Sequence, residues 1–212
     1  CTKLNMNKFF VSLFCAYAIF CFTYAAENKP IPVIFDTDMG NDVDDALALC
    51  MLFTAEDMGL CKILCIAHNK DNLNSAVATD IDSARYVFDN CPVPMYFSGF
   101  EFGDSVRYPR SEIDAYFGEG NPVFDAYNAS SLKVHGRNGK FDWATFDMTS
   151  VLFVLEPKRI KLSAPGKVSV IDDSGRVGFM PAKGGLHKYF LLPEDTDKIK
   201  DRLVFFARAR KL

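Results

Sequence analysis

The chain has 212 residues, 49% of them hydrophobic and 24% charged, with a formal net charge of -3. Those values suit one globular domain with a real core and exclude a disordered, highly charged chain. They also argue against a nucleic-acid partner, because the only basic cluster, Arg208-Ala209-Arg210-Lys211, is a short terminal run that reads as a solvated helix end.

Residues 1–25 read as a leader. Met6-Asn7-Lys8 is a short basic start, the run from Phe9 to Phe22 is apolar, and Thr23-Tyr24-Ala25-Ala26 offers a small-residue cleavage site. The apolar run is short for a bilayer span. The expectation is export, to the outside of the cell or to a periplasm, with no membrane association after cleavage. Residues 1–5, upstream of Met6, read as either untranslated sequence or a fragment edge. Cys50, Cys61, Cys65 and Cys91 remain after the leader, with no CxxC spacing, so zinc is not expected. The first three lie in apolar runs, the usual setting of a buried free thiol.

Pro32–Phe35 predicts a buried first strand, and Val43 to about Asp57 a helix with acids in its first turn. Lys62–Ala67 predicts a second strand, ending in the polar turn His68-Asn69-Lys70-Asp71-Asn72. Asp80 to about Asn90 reads as a helix with Ile81, Ala84, Val87 and Phe88 on one stripe, and Val93–Phe97 as a third strand. Alternation of this kind predicts an α/β fold, a mostly parallel open sheet flanked by helices. Residues 104–141 show no clear period and read as irregular helices and loops. Met148 to Leu155 predicts a helix preceded by Asp147, which could cap it or serve as a ligand, and residues 167–180 a β-hairpin around Asp172-Asp173-Ser174-Gly175. Asn128-Ala129-Ser130 matches the N-glycosylation triplet, which would matter on a eukaryotic secretory route.

The segment between the first strand and its helix is the most informative. Asp36-Thr37-Asp38-Met39-Gly40-Asn41-Asp42-Val43-Asp44-Asp45 holds five acids in ten residues. In an open α/β sheet this is where the ligand binds, outside the carboxyl end of a strand. Acids sharing one partly buried site need a cation to stay ionised, and oxygen-only ligands select a hard metal such as Ca²⁺ or Mg²⁺. An EF-hand loop is excluded, because its sixth and twelfth positions, counted from Asp36, hold Asn41 and Leu47 instead of Gly and Glu. A phosphatase of the haloacid-dehalogenase type is a rival through Asp36-Thr37-Asp38, but its pattern does not expect the trailing Asp44-Asp45.

The full string DTDMGNDVDDALAL resembles the inosine–uridine-preferring nucleoside hydrolases, in the version of the motif familiar from secreted and bacterial branches. His68–Asn72, Pro92–Gly103, Trp143–Val151, Ser163–Val170 and Gly184–Tyr189 also look like family segments, so the resemblance spans roughly residues 31–190 of a domain covering 31–212. It implies a Rossmann-like fold with a C-terminal hairpin, a Ca²⁺ cofactor, a small-molecule nucleoside substrate and homo-oligomeric assembly. By matching position, Asp38, Asp45 and Asp147 would be metal ligands and Asp44 the general base. Asn72 would bind a ribose hydroxyl and Asp36 would support the substrate loop. Asp42 falls in a two-residue expansion and reads as a solvated loop acid. Some members place a His before the late Asp to protonate a leaving purine; this chain has Phe146 there, and His68, His135 and His187 match no such role. The resemblance also implies an internal truncation near 72–78, where the family carries further metal and ribose contacts. The alternative is therefore a truncated, inactive relative that keeps a metal or ribose pocket.

Overall fold

A computed structural model describes residues 29–37, 39, 43–68, 77, 80–135 and 141–208. The leader lies outside the described residues, as do Asp38, Asp42 and Asn72. Among those described, no helix is long and apolar enough to cross a membrane.

Strand β1 (Ile31–Thr37) runs parallel to β2 (Cys61–His68), and helix α1 (Asp44–Asp57) is the crossover between them. The α/β class read from the sequence is therefore the class observed. Helix α1 is apolar around most of its circumference, because it is central: Leu47, Ala48, Met51 and Ala55 are completely buried. It packs against β2 and against α6 (Phe146–Leu155) and α7 (Thr196–Arg208). Met148, Leu152, Leu203 and Phe206 meet it there, and each such fully buried side chain stabilises by about 1.5–3 kcal/mol. Gly59, at φ +71, ends α1 in the left-handed conformation that only glycine adopts cheaply, and Leu60 N–H closes the turn on Ala55 C=O at 2.9 Å.

Among the described residues, four further helices and three short strands link β2 to α6. Helix α2 (Ile81–Asn90) is capped by Asp80, whose carboxylate accepts from Ser83 N–H at 2.9 Å. Its expected stripe is only half-buried at Ile81, Ala84 and Phe88, and Val87 is exposed. The third strand shrinks from Val93–Phe97 to β3 (Tyr96–Phe97), which pairs in parallel with β8 (Lys188–Tyr189). Next come α3 (Phe100–Ser105), β4 (Arg107–Tyr108), α4 (Arg110–Tyr116) and α5 (Pro122–His135), then β5 (Trp143–Ala144), antiparallel to β4. Residues 104–141 thus contain a regular helix of 14 residues where irregular helices and loops were expected. Its start has a clear local cause: Asn121 Oδ1 accepts from Val123 N–H at 2.9 Å, and Pro122 fills the first helical position.

The C-terminal hairpin forms as expected, β6 (Gly166–Val170) against β7 (Val177–Pro181). Its turn is built by Asp172, whose Oδ1 accepts from Ser174 N–H at 3.0 Å, with Gly175 at φ +80. Cys50 and Cys61 are buried and outside any disulfide, but Cys65 is exposed. Burial, reinforced by the Glu56 carboxylate, pushes the Cys61 thiol up. Cys65 departs from expectation because, among the described residues, nothing covers part of the surface of β1 and β2. Ile34 is 68% and Leu64 58% exposed, in a parallel pair of the kind normally covered on both faces.

Glu156, just after α6, ties that helix to α7. It accepts from Arg202 Nε at 3.1 Å and Nη2 at 2.5 Å, and also from Arg159 Nε. Burial works to raise this carboxyl, but the hydrogen bonds from Arg202 and Arg159 outweigh it and hold the group below its ordinary value of 4.5. A depressed carboxyl contributes stability that is complete above the unfolded value and is lost as pH falls through the folded one. Glu156→Gln is therefore expected to be less stable than the parent at pH 7, with the gap closing below about pH 4. Urea midpoints measured from pH 7 to 3 check this, and a gap that does not change with pH would refute it.

Candidate metal centre

The centre forms where β1 hands over to α1. Period-two alternation puts Phe35 and Thr37 on the buried face of β1 and leaves Asp36 exposed on the other. Thr37 ends the strand within reach of the first turn of α1, and its hydroxyl donates to Asp45 Oδ1. Asp44 and Asp45 are the first two residues of that helix and are 1% and 0% exposed.

Asp147 arrives from the far end of the chain. It lies in the first turn of α6, one residue inside a helix that starts at Phe146, so Thr145 is the N-cap and Asp147 is not. The start of α6 is fixed by tertiary bonds. Buried Thr145 donates its N–H to Gly103 C=O at 3.0 Å and its hydroxyl to Val106 C=O at 2.6 Å. Gly103 lets α3 approach this closely, since a Cβ there would meet Phe146 Cδ1 at 2.3 Å and the Phe146 backbone at 3.0 Å. The result is a direct link between the two helix ends: Asp147 N–H donates to Asp44 Oδ2 at 2.8 Å.

One oxygen from each of Asp44, Asp45 and Asp147 lies within 4.8 Å of the others. Two of these carboxylates are buried, where an ion is costly unless compensated. The N-termini of α1 and α6 converge on the cluster and supply roughly half an elementary charge each. That is roughly +1 against -3, and a divalent cation matches the remainder. The donor set is oxygen-only and carboxylate-rich, which suits Ca²⁺, Mg²⁺ or Mn²⁺ and does not suit zinc or copper.

No family model matches this chain, and no curated protein matches it. Among solved structures, it is similar to one described as a plant nucleoside hydrolase, the PpNRh1 enzyme, at 13% identity and a TM-score of 0.49. The match covers 84% of this chain and 60% of that chain, so this chain spans about 60% of the length of the protein it matches.

The structure thus brings together Asp44, Asp45 and Asp147 and leaves Asp36 outside the cluster. Asp38 and Asn72 fall outside the described residues. Asn128 lies within α5, where its side-chain oxygen accepts from the buried Arg110 at 2.5 Å. Glu101, in the first turn of α3, folds its carboxylate back over Gly99. Sequence reasoning missed Thr37, the hydroxyl that holds Asp45. The signal was available, because a Thr two residues after a buried Phe35 in a strand shares its face.

Proposed function

We propose that this protein is a calcium-dependent nucleoside hydrolase that releases ribose and a free base from ribonucleosides after export by its N-terminal leader. The observation that carries this reading is the convergence of Asp147 on Asp44 and Asp45, across 103 residues of sequence, within 4.8 Å. That grouping is the one the sequence resemblance requires of its metal ligands and base.

Asp45 and Asp147, with Asp38, would hold the Ca²⁺, which when bound would supply an oriented water of lowered pKa. Asp44 would take the proton of that water as general base. Its Oδ2 is held by the Asp147 amide, so the carboxylate enters the reaction already oriented. As the water oxygen adds to the anomeric carbon, the C–N bond breaks and its electron pair leaves with the base. The sugar passes through an oxocarbenium-like state, which nearby carboxylate charge stabilises. Asn72 is assigned to a ribose hydroxyl and Asp36 to support of the loop.

The test is the purified chain with Ca²⁺ and either inosine or uridine, scored by ribose release and repeated in excess chelator. Ribose release that chelation abolishes is expected. Phosphate release from a phosphomonoester would instead favour the dehalogenase-type phosphatase. A second reading, a truncated and inactive relative that retains the metal pocket, is favoured by the exposed Ile34, Leu64 and Ile66 on β1 and β2. Calcium binding without turnover would select it.

A further inference from the structure

His68 ends β2, directly across the parallel register from Thr37 at the end of β1. It is exposed and carries none of the roles assigned above. Its Nε2 lies 3.0 Å from Met39 C=O. A carbonyl only accepts, so Nε2 carries the proton and donates it. The same residue, Met39, donates its N–H to Thr37 Oγ1 at 3.2 Å. Thr37 in turn donates to Asp45 Oδ1. A hydroxyl has one hydrogen, and with Met39 N–H on a lone pair of Thr37 that hydrogen is aimed at the carboxylate. The contacts therefore form one chain, from imidazole to Met39 peptide to Thr37 hydroxyl to the buried Asp45.

We infer that His68 is a positioning residue of the metal centre. It pins Met39 between the ends of the two strands, and through Thr37 it fixes the rotamer in which Asp45 presents its carboxylate. The inference rests on the reading of the aspartate cluster as a metal site, and its substance is the path from His68 to that site. Residues that orient a ligand from outside the coordination shell alter metal affinity by roughly 10–100-fold when lost. His68 acts through two intermediates, so the lower end of that range applies.

The experiment uses the full chain and Ca²⁺ alone, titrated calorimetrically, with three proteins: the parent, His68→Phe and His68→Gln. Gln keeps an N–H donor near the position of the imidazole Nε2, and Phe keeps only the ring. His68→Phe is expected to weaken Ca²⁺ binding about tenfold, with His68→Gln close to the parent. In the metal-free proteins, exchange of the Met39 amide hydrogen is expected to speed up in His68→Phe and not in His68→Gln. Equal affinities and equal exchange in all three proteins would overturn the inference while leaving the metal site standing. The inference also fails if His68→Gln loses as much as His68→Phe, because N–H donation would then not be what matters. A parent that binds no Ca²⁺ overturns the metal site and the inference together. Calcium binding without ribose release removes the hydrolase reading alone, and the affinities still decide the role of His68.

Discussion

Asparagine in place of Asp44 is expected to lower kcat for ribose release by about 10²- to 10⁴-fold, the usual contribution of a positioned general base. The fold should survive, because the Asn oxygen can still accept the Asp147 N–H that now bonds to Asp44 Oδ2 at 2.8 Å. KM should change little if the loss lies in proton transfer, since substrate contacts are not assigned to this group. Asp44→Ala is a different perturbation. It removes the acceptor from an amide at the start of α6, at a cost of about 1–3 kcal/mol for an unsatisfied buried donor. Thermal melting beside steady-state kinetics separates the two. An Asp44→Asn enzyme with unaltered kcat would remove the general-base assignment, and one that no longer binds Ca²⁺ would move Asp44 into the ligand set.

How the cluster is assembled shows which parts of it were readable in the sequence. Strand β1 and helix α1 were legible because each is an apolar run of fitting length beside a polar segment, and a central helix is apolar around most of its circumference. The acids of α1 were legible as a group because they are adjacent. Asp147 is different. Its own surroundings suggest only an acid near a helix start, and what places it is a set of contacts from Thr145 to Gly103 and Val106, about 40 residues earlier in the chain. Those contacts begin the helix at Phe146, two residues sooner than the apolar run implies. The shortening of the third strand has a similar origin, since β3 pairs with β8 across a long stretch of sequence and nothing local reports where that pairing stops. The length and bounds of helix α5, within a stretch read as irregular helices and loops, were not legible although Asn121-Pro122 marks its start, because its mixed aromatic and polar residues blur the period. The exposed thiol of Cys65 is the reverse case: a run that reads as buried lies where, among the described residues, part of the β1–β2 surface has no cover.

Calcium is expected to stabilise the protein against heat, and Asp45→Asn is expected to abolish that effect without weakening the metal-free fold. The metal-free state carries three carboxylates with oxygens within 4.8 Å of one another. At an effective dielectric constant of about 20, two unit charges at that separation repel by roughly 3 kcal/mol. Cation binding relieves this repulsion in the folded state only, because the unfolded chain separates Asp147 from Asp44 and Asp45. At a free Ca²⁺ concentration of about 100 Kd, the stabilisation is about 2.7 kcal/mol. For a domain of this size that corresponds to a rise in Tm of about 5–10 °C. Asn at position 45 can keep the hydrogen bond from Thr37 while losing the charge. It removes a ligand and a source of repulsion together, so the metal-free Tm of Asp45→Asn should equal or exceed that of the parent. Asp147→Asn should act in the same direction, which a purely local role for Asp147 at the start of α6 does not predict, since an acid there helps its helix and its loss should only destabilise. Thermal melts of the parent and both variants, with Ca²⁺ and with chelator, decide the matter. A parent whose Tm ignores calcium would show that the helix ends alone sustain the three acids, and a variant that keeps the full calcium shift would remove its residue from the ligand set.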